Sequence, residues 1–216
     1  MANNLFLHEE IYRGEAAVKA LGEKTIAICG AGTLGSNLAE TLIRQGFKKL
    51  RVVDMDRVDM HNLNTQCYDV QDVGALKVQA LKNRLFRATK AEIEIENKEL
   101  KAQNAKKFLK GADLVVDAFD NNASRQMLRD YCRESKQDLL HAGLNGGYGE
   151  VVWDAHYTVP QDQTEGNACE YPLARNLAML VVSMVAEEII DRFTAKKPRY
   201  GCWAITLKDL KIQPYR

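Results

Sequence analysis

Residues 25–35, TIAICGAGTLG, constrain the fold of this chain more than any other stretch. An apolar run ends directly on Gly30-x-Gly32-x-x-Gly35, and a helical pattern opens behind it. A strand that turns sharply into a helix uses glycine at these three places for separate reasons. The first permits the tight turn, the second lets backbone nitrogens approach a phosphate, and the third lets helix and strand pack closely. The start of the helix adds unpaired N–H groups and the positive end of its dipole, so the expected occupant is an anion. A glycine-rich turn can also be only a turn, and nicotinamide, flavin and ATP users share the pattern. The strand before it and the helix after it separate this one from a plain turn.

The rest of the chain continues the alternation. Period and punctuation predict a helix over 9–21, strands over 25–29 and 50–53, and helices over 34–45 and 76–86. A strand over 92–97, a short helix over 104–109, a strand over 114–117, a helix over 122–135 and a strand over 139–142 follow. This order predicts an α/β fold: a doubly wound, Rossmann-like, mostly parallel sheet with helices on both faces, binding ligands beyond the carboxyl ends of its strands. Past Gly143 the pattern changes to a turn at Asn145-Gly146-Gly147, a strand over 150–153, a polar loop over 157–171 and a helix from about Leu173. A C-terminal extension of mixed strands and one long apolar helix is therefore expected. At 216 residues and 46% apolar content the chain reads as one domain, 1–216. It divides into an N-terminal helical segment (1–24), a nucleotide-binding core (25–143) and a crossover loop, helix and strands (144–216).

Lysine plus arginine (30) nearly balances aspartate plus glutamate (29), so neither a nucleic-acid nor a membrane partner is expected. The apolar stretch at 177–186 is too short for a bilayer, and the first residues lack a secretory pattern, so the expected location is cytoplasmic. Cysteines 29, 67, 132, 169 and 202 form no C-x-x-C pair, which predicts reduced thiols and no zinc. Cys29, Cys132 and Cys202 read as buried small hydrophobes, and Cys67 has no evident activating base. His141 and His156 read as ordinary polar residues. The stripe over 177–190, with Met179, Met184, Val185 and Ile189, reads as core or dimer interface. Lys106, Lys107, Lys110, Lys196 and Lys197 read as solvated faces.

The acidic residues at the strand ends bear on the choice of nucleotide. Asp54 stands where a dehydrogenase would hold ribose hydroxyls, and alone it fits either nucleotide. The strand instead runs on into Asp54-Met55-Asp56, then Asn62-Leu63-Asn64-Thr65-Gln66, with Lys77 soon after. The fourth strand ends in Asp117-Ala118-Phe119-Asp120-Asn121. A carboxylate at a strand end beside a phosphate loop suits Mg²⁺, and a lysine there neutralises phosphate charge.

Over residues 30–121 these motifs resemble the ThiF/MoeB/ubiquitin-activating-enzyme superfamily of adenylyltransferases. The resemblance implies ATP and Mg²⁺ as cofactors: Gly30, Gly32 and Gly35 at the phosphates, Asp54 at the ribose, and Asp56, Asn62, Asn64 and Gln66 shaping the site. It further implies Lys77 on phosphate charge and Asp120 on the metal. The implied reaction is adenylylation of the C-terminal carboxylate of a ubiquitin-like or sulfur-carrier protein by a homodimeric enzyme. In some relatives a crossover-loop cysteine then captures the acyl group or sulfur, and Cys169 lies in the equivalent loop.

This chain departs from the family pattern in two ways. Thr65 stands where the family's N-L-x-R-Q has arginine, leaving Arg13, His8, Arg57 or Arg125 to supply that charge. The zinc-binding cysteine pairs of many bacterial relatives are absent. A non-catalytic subunit that scaffolds a partner and an NAD-dependent oxidoreductase are the alternative readings.

Overall fold

Strand β1 (Thr25–Cys29) sets the architecture, because its alternating side chains face two separate cores. Ile26 and Ile28 point to one face of the sheet, Ala27 and Cys29 to the other. The computed structural model describes residues 4–160, 172–198 and 200–214. Its eight strands form one sheet in the order β3-β2-β1-β4-β5-β6-β7-β8. The strands β2 (Lys49–Val53), β3 (Glu94–Glu96), β4 (Leu114–Asp117) and β5 (Leu139–Asn145) join β1 in parallel, which is the doubly wound half. From β5 the sheet continues antiparallel through β6 (Tyr148–Trp153), β7 (Trp203–Thr206) and β8 (Lys211–Pro214).

Helices cover both faces, as the burial on each side of β1 requires. On the Ile26 face lie α2 (Glu15–Gly22), α3 (Thr33–Arg44), α4 (Lys77–Thr89) and α7 (Arg175–Thr194); on the other lie α5 (Ala102–Leu109) and α6 (Asn122–Ser135). The single N-terminal helix expected over 9–21 is instead two, α1 (Leu7–Arg13) and α2. Gly14, at φ 92, takes a backbone angle that no continuing helix adopts.

The C-terminal helix is long but not apolar all round. Leu177, Val181, Val185 and Ile189 enter the core, while Glu187, Asp191 and Arg192 keep one side polar. Of the stripe over 177–190, Val185 and Ile189 are thus core, while Met179 and Met184 stay half-buried. The helix starts at Arg175 rather than near 173, because Leu173 makes a β-bridge to Gly146. No described helix is long and apolar enough to cross a membrane. Lys106, Lys107, Lys110, Lys196 and Lys197 are exposed, as expected.

Glu188 joins the C-terminal elements. Although only 3% exposed, it accepts hydrogen bonds from Trp153 Nε1 at 2.9 Å and Trp203 Nε1 at 2.6 Å, tying α7 to β6 and β7.

Candidate functional site

The glycine loop sits at the carboxyl ends of β1, β2 and β4. Gly30 N–H donates to Val53 O at 2.9 Å, and Gly30 takes φ 102. A Cβ on Gly30 would lie 2.7 Å from Ala118 O, and one on Gly35 would overlap Gly30 O. A Cβ on Gly32 would meet nothing within 4 Å. The outer two glycines are thus demanded by packing, whereas Gly32 faces open space at the N-terminus of α3, an end whose unpaired N–H groups and dipole suit an anion.

Neighbouring motifs hold this loop. Asp54 Oδ2 accepts from Ala31 N–H and its Oδ1 from Asp56 N–H, both at 2.7 Å. Burial pushes the Asp54 carboxyl up, opposed by Lys77 and the two amides. The buried Tyr68 hydroxyl donates to Ala31 O at 2.7 Å, so both polar atoms of the Ala31 backbone are fixed. The sequence reading missed Tyr68; its position just after Gln66 and Cys67 was the available signal.

Lys77, at the start of α4, is buried, and its Nζ lies 2.8 Å from Asp56 Oδ2. Asn62 is buried and accepts from Asp59 N–H at 2.9 Å, shaping the Met60–Asn64 turn. Asn64 is exposed, and the buried Gln66 has an Oε1 with no hydrogen-bond partner among the described residues. Thr65 is buried against the first residue of α3, its Oγ1 2.9 Å from Thr33 Oγ1.

Of the groups considered to replace the missing arginine, Arg13 is committed to Glu9 and Glu187 of its own chain. Arg57 donates to Gly74 O at 2.7 Å, His8 is exposed, and Arg125 Nε donates to Phe119 O at 2.9 Å. A further cation, unforeseen in the sequence, stands beside Thr65: Arg175 donates to Asn64 O at 3.3 Å. It opens α7, and its distance along the chain from residue 64 hid the contact.

Asp120 is exposed on the loop between β4 and α6, next to Asn121, which caps α6 through Ser124 N–H at 2.9 Å. No group of three or more His, Cys, Asp or Glu among the described residues could hold a metal. A single exposed carboxylate nevertheless fits a Mg²⁺ ion that arrives on nucleotide phosphates, which with water would supply most of its shell.

The thiols divide as their surroundings dictate. Burial pushes Cys29 up, Cys67 up to about 11 and Cys132 up to about 12, which suppresses the nucleophilic thiolate. Cys202 is half-buried rather than core, and burial raises its thiol too. Cys169 lies outside the described residues. His156 is exposed, but His141 is not the ordinary polar residue expected: it is buried between two carboxylates.

The ThiF family model matches residues 4–202, and the chain belongs to that family. It is 32% identical over 135 residues to tRNA threonylcarbamoyladenosine dehydratase 1 of Saccharomyces cerevisiae, a match covering 60% of this chain and 32% of the yeast protein. It is 29% identical over 161 residues to the sulfur carrier protein adenylyltransferase of Thermus thermophilus, covering 74% of this chain and 59% of that one. Each of these matches spans less than two thirds of the relative. Among solved structures, the fold resembles that of E. coli MccB in complex with MccA-N7isoAsn, with a TM-score of 0.86 at 16% identity over 99% of this chain and 72% of that one.

Proposed function

We propose that this chain is an ATP-dependent adenylyltransferase that activates the C-terminal carboxylate of a ubiquitin-like or sulfur-carrier protein. The reading rests above all on the open face of Gly32 at the start of α3, with Lys77 bonded to Asp56 just after β2 and Asp120 exposed on the loop after β4. A carboxylate oxygen of the carrier attacks the α-phosphorus of ATP, pyrophosphate leaves, and a carrier acyl-adenylate remains. The step needs no side-chain nucleophile; it needs alignment and preorganised charge.

The backbone N–H groups around Gly30, Gly32 and Gly35 cradle the phosphates, and Lys77 leaves Asp56 to meet phosphate charge. Asp54 takes the ribose, while Asp56, Asn62, Asn64 and Gln66 shape the nucleotide pocket. Mg²⁺, held by Asp120 and the phosphates, supplies further charge neutralisation when bound. Arg125, bonded to Phe119 O, and Arg175, bonded to Asn64 O, are the cations we propose for the charge that Thr65 lacks. Family membership supports ATP over a nicotinamide. The near balance of 30 basic and 29 acidic residues favours a protein carboxylate over one carried on a polyanionic tRNA. Cys169 is the proposed acceptor of a second step, either a thioester formed as its thiol displaces AMP from the acyl-adenylate or a persulfide formed as it takes sulfane sulfur from a persulfide donor that leaves as a thiol, and a homodimer working in the cytoplasm is the proposed setting.

Hydroxylamine trapping tests the reading. Carrier, ATP and Mg²⁺ should yield a carrier hydroxamate by mass spectrometry, and Lys77→Ala should reduce the yield about 100-fold. No hydroxamate from a carrier ending in glycine would leave the scaffolding role. A thiol-sensitive adduct lost in Cys169→Ala but kept in Cys202→Ala would establish the second step.

A further inference from the structure

A buried charged centre between β4, β5 and β6 plays no part in the chemistry above. His141 Nδ1 lies 2.9 Å from Asp117 Oδ2, with both side chains 0% exposed. The other ring nitrogen, Nε2, faces Glu150 Oε1 at 3.3 Å. Tyr157 stacks on the imidazole, with ring centroids 3.8 Å apart and planes 14° from parallel. A carboxylate as buried as Asp117 is stable only when paired and hydrogen-bonded. Burial alone would lower the pKa of His141, but the hydrogen bond to Asp117 and the nearby Glu150 carboxylate hold it above the ordinary histidine value. In return, His141, with Tyr148 and Arg125, holds Glu150 below the ordinary carboxylate value despite its burial.

This centre reaches the candidate site through a single residue, Phe119. Asp117 Oδ1 accepts from Phe119 N–H at 3.1 Å, while Phe119 O accepts from Arg125 Nε at 2.9 Å. Both polar atoms of the Phe119 backbone are therefore held by charged side chains, one residue before Asp120. Ala118 N–H, bonded to Cys29 O at 2.9 Å, anchors the same loop to β1.

We propose that His141 is a positioning residue for Asp120: as the middle link of a Glu150–His141–Asp117 chain, it fixes the carboxylate that holds the Phe119 amide. The loop is thereby preorganised to present Asp120 to a nucleotide-bound divalent cation. The role given to Asp120 rests on the adenylyltransferase reading, whereas the control of the loop does not. Outer partners that orient a metal-binding carboxylate typically change metal affinity 10- to 100-fold when removed.

Two readouts test this in the full chain. In the nucleotide-free protein, His141→Leu should speed amide hydrogen exchange at residues 118–121 about 10-fold while leaving β1 and β2 protected. With a non-hydrolysable ATP analogue, it should raise the Mg²⁺ concentration for half-maximal binding about 10-fold. His141→Asn keeps a donor near the Nδ1 position and should return both values to within about threefold of wild type. If the leucine variant does not fold, Glu150→Gln decides, since that side chain is 19% exposed. It should move both readouts about threefold in the same direction.

Exchange at 118–121 and a Mg²⁺ midpoint that both stay at wild-type values would overturn the proposal. So would a general loss of stability with an unchanged Mg²⁺ midpoint. Wild-type protein that fails to bind the analogue with Mg²⁺ would overturn the adenylyltransferase reading instead, and exchange at 118–121 would then decide the control of the loop.

Discussion

Glu188→Leu should destabilise the protein even though it removes a carboxylate from a nearly dry site. Replacing a buried ionised group with a hydrophobe is often neutral or stabilising, because the desolvation of the charge is relieved. Here the groups left behind decide the sign. Trp153, 2% exposed, would keep an indole N–H with no acceptor, at about 1–3 kcal/mol. Trp203 is half-buried, so water would partly replace its bond, at about 1 kcal/mol. The expected loss is about 2–4 kcal/mol, and Glu188→Gln, which keeps one acceptor oxygen, should lose about half of that. Trp153 and Trp203 are the only two tryptophans in the chain, so urea unfolding followed by their fluorescence reads the affected contacts directly. In a chain of this size the leucine variant should melt roughly 4–16 °C lower. Unchanged or raised stability in Glu188→Leu would refute the reasoning, since it would mean that desolvation outweighs the two bonds.

The glycines should separate by role. Gly35→Ala should destabilise by about 2–3 kcal/mol because its Cβ overlaps Gly30 O, whereas Gly32→Ala should melt like wild type yet weaken ATP binding about 10-fold in calorimetry. Iodoacetamide at neutral pH should leave Cys29, Cys67 and Cys132 unmodified in the native protein and label them after unfolding, as peptide mapping would show. Burial raises the Glu40 carboxyl, but the bonds from Arg84 and Arg44 lower it more, to a net value below the ordinary 4.5. Its contribution to stability is therefore present above that pH and lost as pH falls through the folded-state value. Glu40→Gln should lower the neutral and alkaline plateau of a melting-temperature profile and flatten its acid limb, where the wild-type contribution is already lost.

The doubly wound half of the fold was legible because its signals are local. Apolar runs, Gly30-x-Gly32-x-x-Gly35 and the caps lie within a turn or two of what they determine. Of the site residues read at the strand ends, Asp54 is the one whose carboxylate bonds the glycine loop, through Ala31 N–H. The features that escaped are contacts between distant residues. Glu188 with Trp153, His141 with Asp117 and Arg175 with Asn64 all join separate elements, so no periodicity announces them. The break at Gly14 escaped for the opposite reason: one glycine within a helical pattern is tolerated often enough that composition alone does not end the helix.

The central claim is that this chain uses ATP to activate a carboxylate, and pyrophosphate exchange measures that step alone. The protein, ATP, Mg²⁺, labelled pyrophosphate and a carrier ending in glycine should move label into ATP, at a rate that depends on the carrier and falls about 100-fold in Lys77→Ala. A protein that binds ATP and carrier yet returns no label to ATP would contradict the account.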